Sequence, residues 1–396
     1  KKNNRRYRSS MMFRIFGVRL KCISVLVVIC MFSPAASPAA IPEYSAISVE
    51  AETGLVLYEK NADTVRPPAS MIKLFQMLLV SEGLEEGRWT LEQPITASRK
   101  AQHMGGTQVY LEARDTFSLE HLMHAVSVAS ANDAAMAVAE GLWESEEAYL
   151  AAMNEMAAEL GMESSEFNSV HGLPPDRGED PDKTTARDMA LLGRACVKVP
   201  QLLEWTSMRE LQFRPGEALK YTTNKLMRRR DDMDGLKTGY IRAAGFCVTA
   251  TLQKNGIRVI SVVMGHTDKK ERFDLAERLL DEGVALVRRD VFLPEEGSAV
   301  EGIGVGNCEV ETTDLFASDG ITLLTRRDEF DQIEIVYDHP KSLKAPLKKG
   351  DKVGTVSAVL GTTVLAERDL LVTEDLPEAG WGWRIEQTVL GWFGSN

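Results

Sequence analysis

The segment PPASMIKLFQMLLV, residues 67–80, places one lysine in an otherwise apolar stretch. Lys73 follows Ser70 by three positions, so on a helix both side chains would lie on one face. A serine hydroxyl becomes an effective nucleophile when a base within hydrogen-bonding distance accepts its proton. Burial lowers the pKa of a lysine, which can then act as that base. The pair therefore predicts a serine nucleophile for acyl transfer, with the positive end of the helix near the developing negative charge.

Two further segments offer groups that such a reaction needs. SAND, residues 130–133, lies in a polar break between apolar helical stretches, where Ser130 could pass a proton to a leaving amine and Asn132 could hold a substrate backbone. KTGY, residues 237–240, begins a strand, where Lys237 and Thr238 could bind a carboxylate. Each segment alone also fits an ordinary turn or a solvated strand end. Only their combination with Ser70 and Lys73 favours catalysis.

The three motifs together resemble the signature of penicillin-binding proteins and class A β-lactamases. The chain resembles the low-molecular-mass penicillin-binding proteins, the serine D-alanyl-D-alanine carboxypeptidases. The resemblance covers nearly all of residues 41–396, and it extends to a set of further segments: GGTQVYLE (105–112), FNSVHGL (167–173), TNKLM (223–227), DGLKTGYI (234–241), LKAPLKKGDKVGTV (343–356) and the terminal helix.

The resemblance implies a role for each motif residue. The catalytic residues would be Ser70 as the acylated nucleophile, Lys73 as its base and Ser130 as a proton carrier. The oxyanion hole would be formed by the backbone N–H groups of Ser70 and Tyr240. Lys237 and Thr238 would hold the terminal carboxylate of D-alanine. The predicted substrate-binding set is Asn132, Lys237, Thr238, Gly239 and Tyr240.

The family implies one reaction and leaves three alternatives. The expected enzyme removes the terminal D-alanine from a peptidoglycan stem pentapeptide, is acylated by β-lactam antibiotics and needs no cofactor. A class A β-lactamase would need Glu-x-x-x-Asn, but neither Glu163 nor Glu166 lies four residues before Asn168, and Glu166 is interpreted as a surface charge. DD-endopeptidase activity would use the same residues. A non-catalytic peptidoglycan-binding protein would not be expected to keep both Lys73 and Lys237.

The elements that would position the motifs predict an α/β (α+β), transpeptidase-like catalytic domain over residues 41–292. A hairpin is predicted at 47–63 with its turn at 52–54, and the segment 235–266 reads as strand, turn at Asn255–Gly256, strand. Apolar periodicity predicts helices between and after these strands, at 70–83, 118–143, 145–160, 184–198 and 269–287. One central antiparallel sheet covered by a helical lobe is the expected architecture.

Two smaller units are predicted after this domain. Residues 293–375, which begin with the linker LPEEGS, contain short alternating strands and predict a small β-sandwich-like, all-β domain. Residues 376–396 predict an amphipathic helix that lies on a membrane surface, because its apolar residues fall in one sector. Docking of this helix on its own domain is the alternative. The apolar sector consists of Trp381, Ile385, Val389, Trp392 and Phe393.

The first 40 residues have the order of a secretory signal: a basic stretch, the apolar run CISVLVVICMF and small residues. A retained N-terminal anchor is the alternative. Removing this segment takes the formal charge from −12 to −20, because it holds eight basic residues and no acidic one. Such an acidic body argues against nucleic acid as a partner. We expect export across the inner membrane and peripheral attachment on the far side.

The cysteines do not form a disulfide framework. Cys196, Cys247 and Cys308 remain after the signal segment, an odd number, and three buried free thiols are favoured over one bridge. No HExxH or paired CxxC motif is present, so the sequence indicates no metal site.

Overall fold

A computed structural model describes residues 43–383 except 296 and 298, together with Ile385. The predicted signal segment and most of the predicted terminal helix lie outside the described residues.

A five-stranded antiparallel sheet, in the order β2-β1-β9-β8-β7, forms the centre of the catalytic region. The predicted hairpin supplies its first two strands. The single strand predicted before Asn255–Gly256 is wrong: the chain forms two strands there, separated by a turn at residues 242–244. The strands are β1 Ser45–Glu50, β2 Val56–Lys60, β7 Met233–Ile241, β8 Gly245–Lys254 and β9 Ile257–His266.

Helices cover both faces of this sheet, and they include the helical lobe that the sequence predicts. One face carries the helical lobe, whose α1 is buried on all sides, as its continuous apolar sequence predicts. The other face carries the last helix of the region, which packs Phe273 and Leu280 against the sheet. The helices are α1 Lys73–Glu85, α2 Arg99–Gln102, α3 Leu119–His124, α4 Asn132–Trp143, α5 Glu146–Glu159, α6 Ala186–Cys196, α7 Pro200–Ser207 and α8 Glu271–Leu286.

Two short ladders complete the catalytic region, and each joins strands of two or three residues. They pair β3 Pro94–Thr96 with β4 Thr116–Ser118, and β5 Glu210–Leu211 with β6 Lys220–Tyr221.

The region after α8 is all-β, as predicted. A six-stranded sheet has the order β14-β16-β17-β12-β11-β15, and a separate ladder pairs β10 with β13. Strand β10 begins at Val287, inside the range predicted for the catalytic domain, so the chain enters the second region already extended. The strands are β10 Val287–Leu293, β11 Val300–Gly306, β12 Thr312–Ala317, β13 Ile321–Arg326, β14 Ile333–Asp338, β15 Ser342–Lys344, β16 Lys352–Leu360 and β17 Thr363–Val372. We call residues 300–372 the β module.

The structure also shows the state of the cysteine thiols and whether any described helix could span a membrane. Cys196, Cys247 and Cys308 are all buried free thiols, which confirms the favoured prediction. Within the described residues, no helix has both the length and the apolar character needed to cross a bilayer.

Candidate active site

Ser70 lies at the start of the buried helix, in a single 3-10 turn from Ala69 to Ile72 that runs directly into α1. The residue before it, Ala69, has a positive φ of 50°, an uncommon conformation for a residue with a Cβ. This turn leaves Ser70 half-buried while Lys73, one turn later, is fully buried. The Nζ atom of Lys73 lies 3.0 Å from Ser70 Oγ. The predicted nucleophile and base are therefore in hydrogen-bond contact.

Lys73 has three oxygen neighbours, and only one of them can give it a proton. Besides Ser70 Oγ, its Nζ lies 2.7 Å from Asn132 Oδ1 and 3.0 Å from the carbonyl oxygen of His171. The amide and carbonyl oxygens can only accept. A neutral amine has two N–H bonds and one lone pair, so donating to these two oxygens leaves the lone pair facing the Ser70 hydroxyl. This geometry suits proton transfer from Ser70 to Lys73.

The surroundings of Lys73 favour that neutral amine. Burial lowers its pKa well below the usual range, and the nearby charge of Lys237 lowers it further, against weaker opposition from Asp133 and Asp182. Asp133 is itself occupied, because its carboxylate accepts from the backbone N–H groups of Val109, Leu111 and Ala134. No carboxylate is hydrogen-bonded to Lys73 in the described part of the chain.

The second motif reaches the site mainly through Asn132. A π-helical turn, Ala125–Ala129, ends at Ser130, whose φ of 60° reverses the chain before α4 starts at Asn132. Asn132 accepts from Lys73 through Oδ1, and its Nδ2 donates to the carbonyl oxygen of Gly105 at 2.7 Å. Ser130 is buried, but its hydroxyl makes no hydrogen bond to Ser70 or Lys73 among the residues described.

The third motif lies on β7, at the edge of the sheet. It packs against the 3-10 turn Ala69–Ile72 that carries Ser70, which we call the nucleophile turn. A Cβ on Gly239 would lie 2.7 Å from the Pro68 carbonyl oxygen and 3.2 Å from the Ser70 nitrogen, so only glycine allows this approach. Lys237 is buried, and burial, together with the charge of Arg272, lowers its pKa to about 7.

The last three residues of the motif differ in exposure. The Thr238 hydroxyl donates to Thr223 Oγ1 at 2.8 Å. Tyr240 is 55% exposed and its ring stacks on Phe246, whereas Lys237 is buried. The structure thus packs Gly239 against the backbone of Ser70 and places the charge of Lys237 near Lys73, while the side chain of Tyr240 is exposed.

Sequence reasoning missed three groups at this site. The His171 carbonyl and Thr223 lie in FNSVHGL and TNKLM, segments that resemble the family but for which the sequence predicts no role. Arg272 lies in α8 behind the sheet, and its Nη1 donates to the carbonyls of Gly239 at 3.1 Å and Cys247 at 2.7 Å. Its sequence setting is that of an ordinary charged position on an amphipathic helix. Only the fold reveals that it is buried beneath β7.

In the cleft that Ser70, Lys73, Asn132 and Lys237 form, no glutamate of the described residues is hydrogen-bonded to Ser70 or Lys73, as a class A β-lactamase would need. The interpretation of Glu166 as a surface charge is confirmed: its side chain is exposed and pairs with Lys183 at 3.2 Å. A cavity of about 520 Å³ lies beside the cleft and shares His171 and Gly105 with it. Neither Ser70 nor Lys73 lines that cavity, so it is a neighbour of the cleft rather than the reaction chamber.

Comparison with known proteins identifies both regions. Residues 33–268 match the family described as D-alanyl-D-alanine carboxypeptidase, peptidase S11, and residues 291–378 match the penicillin-binding protein 5 C-terminal domain. The chain is 31% identical over 352 residues to D-alanyl-D-alanine carboxypeptidase DacF of Bacillus subtilis, which covers 88% of this chain and 89% of that protein.

Solved structures show the same relationship. Penicillin-binding protein 5 of Haemophilus influenzae is 25% identical with a TM-score of 0.68, covering 86% of this chain and 99% of that one. Penicillin-binding protein D2 of Listeria monocytogenes, in its cefotaxime-bound form, is 31% identical with a TM-score of 0.56, covering 63% of this chain and all (100%) of that one.

Proposed function

Because this chain belongs to the D-alanyl-D-alanine carboxypeptidase family, we propose that Ser70 and Lys73 carry the serine hydrolase reaction by which it releases the terminal D-alanine of a peptidoglycan stem peptide. The observation that carries this assignment is the 3.0 Å contact between Lys73 Nζ and Ser70 Oγ. Two acceptors on the other side of the amine, Asn132 Oδ1 and the His171 carbonyl, direct its lone pair at the serine.

Acylation begins with attack of Ser70 Oγ on the carbonyl carbon of the penultimate D-alanine. The hydroxyl proton passes to the neutral Lys73 amine as the new ester bond forms. The peptide bond to the last D-alanine then breaks, and its nitrogen receives a proton by way of Ser130. Water later hydrolyses the ester and restores the Ser70 hydroxyl. A β-lactam enters the same first step, with its ring amide in place of the peptide bond.

The substrate is held along β7. This strand pairs only with β8 in the described sheet, so its other edge is available to an extended peptide. We assign Lys237 and Thr238 to the terminal carboxylate, and Asn132 to the substrate backbone. The N–H groups of Ser70 and Tyr240 would stabilise the oxyanion, since Gly239 brings their two segments together.

The catalytic assignment is tested by D-alanine release from a peptide that ends in D-Ala-D-Ala. We expect Ser70→Ala to abolish release and to leave the unfolding temperature unchanged. A matched control is Ser165→Ala, since Ser165 is also half-buried and lies in the same region, and its hydroxyl hydrogen-bonds Thr184 and Asp188 rather than a predicted catalytic residue among those described. D-Alanine release that survives in the Ser70→Ala protein would overturn the assignment.

We also propose that the protein acts outside the cytoplasm and that residues 376–396 attach it to a membrane surface. The support is the order of residues 1–40 and the two exposed large apolar side chains among the described residues of the terminal segment. Trp381 is 84% exposed and Ile385 is 59% exposed, and their four-residue spacing suits one helix face.

Removing residues 377–396 should release the protein from sedimenting lipid vesicles. The matched control replaces Val336, an exposed apolar residue of the β module, by serine and should still sediment. If the truncated protein sediments with the vesicles as before, the attachment lies elsewhere, and residues 1–40 become the first segment to test.

A further inference from the structure

The peptide unit that joins His171 to Gly172 is hydrogen-bonded on both sides. Its carbonyl oxygen accepts from Lys73 Nζ at 3.0 Å and lies 3.3 Å from Ser70 Oγ. Its N–H group donates to Ser169 Oγ at 2.8 Å. Because the two groups belong to one planar unit, whatever orients the N–H also orients the carbonyl. Ser169 therefore controls the direction of a carbonyl that contacts both predicted catalytic side chains.

Gly172 lets this peptide unit reach the nucleophile turn. Its φ is +78°, and a Cβ there would lie 2.2 Å from the carbonyl oxygen of Ala69, the residue before Ser70. No side chain fits in that position. The peptide unit is thus packed directly against the backbone that carries Ser70.

Ser169 is itself held by a buried carboxylate. Its hydroxyl donates to Asp182 Oδ2 at 2.7 Å, while Asp182 Oδ1 accepts from the backbone N–H groups of Asn168 at 2.7 Å and Ser169 at 2.9 Å. A serine hydroxyl has one proton, and this contact uses it. Its lone pairs are therefore free to accept from Gly172 N–H. Asp182 is only 6% exposed, so solvent does not compete strongly for these hydrogen bonds.

We propose that Asp182 and Ser169 are positioning residues for acylation, acting through the 171–172 peptide unit on Lys73. The hydrogen-bonded chain runs from Asp182 to Ser169, then across the peptide unit to Lys73 and Ser70. Without the His171 carbonyl in place, the Lys73 amine keeps one acceptor instead of two and can rotate its lone pair away from Ser70. This inference rests on the proposed roles of Ser70 and Lys73.

The test compares two serines of the same segment in the full-length protein. Ser169→Ala removes the acceptor for Gly172 N–H. Ser165→Ala is the matched control, because Ser165 also donates to a carboxylate, Asp188 Oδ2 at 2.6 Å, but lies outside the chain to Lys73. The measured quantities are the second-order rate of adduct formation with benzylpenicillin and the unfolding temperature.

We expect Ser169→Ala to slow acylation by between ten- and a hundred-fold, on the order of the loss that a misplacement of about 1 Å causes. Ser165→Ala should acylate at the wild-type rate, and Ser169→Thr, which keeps the hydroxyl, should recover most of the lost rate. An equal loss in both alanine variants, or none in Ser169→Ala, would overturn the proposal.

A second variant covers the case in which Ser169→Ala does not fold. Asp182→Asn keeps an acceptor for the two backbone N–H groups but no longer accepts the Ser169 proton, so it should fold and still slow acylation several-fold. An Asp182→Asn protein that acylates at the wild-type rate would also overturn the proposal. If instead the wild-type protein forms no adduct at Ser70, the proposed function fails first, which separates the two failures.

Discussion

The cleft of the catalytic region and the core of the β module use burial for opposite purposes. In the cleft, the fully buried side chains include two lysines, Lys73 and Lys237, both with pKa values lowered by burial. In the β module, the fully buried positions among the described residues are apolar: they are aliphatic, as at Leu315, Val356 and Leu370, apart from the thiol of Cys308. Burial changes chemical reactivity in the first region and stabilises the fold in the second.

This contrast predicts which substitutions change catalytic activity and which change the stability of the fold. A buried polar group costs free energy unless it is well hydrogen-bonded, and a buried charge costs more. The cleft therefore holds groups that lower the stability of the native state, as active sites commonly do. Substitutions there should remove activity without unfolding the protein, whereas substitutions in the core of the β module should do the reverse.

The largest expected effect on acylation is that of Lys73→Met. We expect the rate of adduct formation with benzylpenicillin to fall by about 10²–10⁴-fold, the range typical for loss of a general base. The matched control in the β module is Lys352→Met, which removes an exposed lysine paired with Asp369 and should leave the rate unchanged. A Lys73→Met protein that is acylated at the wild-type rate would contradict the proposed base.

The same variant should be more stable than wild type, in a pH-dependent way. The native pKa of Lys73 lies below its unfolded value, so the unfolded state binds more protons between the two values and stability rises with pH in that window. The cost of burying Lys73 is thus fully present below the native pKa and is lost as pH rises to the unfolded pKa. The gain from Lys73→Met, measured by urea unfolding, should be larger at pH 6 than at pH 9.

A smaller effect is expected from the titration of Lys237. Its pKa of about 7 means that the free enzyme loses this positive charge as pH rises through neutrality. The value of kcat/KM for a peptide with a free terminal carboxylate should then fall above about pH 7, by up to about tenfold per pH unit, since this parameter reports the free enzyme. With Lys237→Arg, which stays charged, the fall should disappear. The same alkaline fall in both proteins would assign it to another group.

The smallest expected effect on acylation is that of Leu370→Ala in the β module. Leu370 is fully buried, so its truncation should cost about 2–5 kcal/mol of the free energy of unfolding. The rate of acylation should stay within about twofold of wild type, because the contact between Ser70 and Lys73 lies in the other region. A large loss of rate without unfolding would mean that the β module positions the cleft, and the contrast between the two regions would fail.

Much of this site was predictable from the sequence because it is marked by particular side-chain types at particular spacings. The spacing of Ser70 and Lys73 on an apolar helix led to the pair that the structure brings into contact. Asn132 and Lys237 follow from their motifs. Apolar periodicity predicts α1, α5, α6 and α8 close to their observed bounds and a helical stretch over α3 and α4, but it does not predict the shorter helices α2 and α7.

The remainder depends on backbone atoms and on tertiary packing. The His171 carbonyl is a main-chain group, and every residue has one, so no residue type marks it. Arg272 reads as a solvated position until α8 is placed behind β7. The turn at residues 242–244 is not predicted because Arg-Ala-Ala contains no turn-forming residue, and the lone Gly245 that follows, with a φ of 66°, is a weaker signal than the Asn255–Gly256 pair.

The most direct test of the central claim is the intact mass of the protein after brief exposure to benzylpenicillin, followed over hours with peptide mapping. The account predicts a one-to-one adduct on Ser70 that persists, because no glutamate of the described residues is hydrogen-bonded to Ser70 or Lys73 in the manner of a class A β-lactamase. An adduct on another residue, or none, would contradict the assignment of Ser70 and Lys73. Loss of the adduct within seconds, with consumption of penicillin, would contradict the carboxypeptidase account in favour of a β-lactamase.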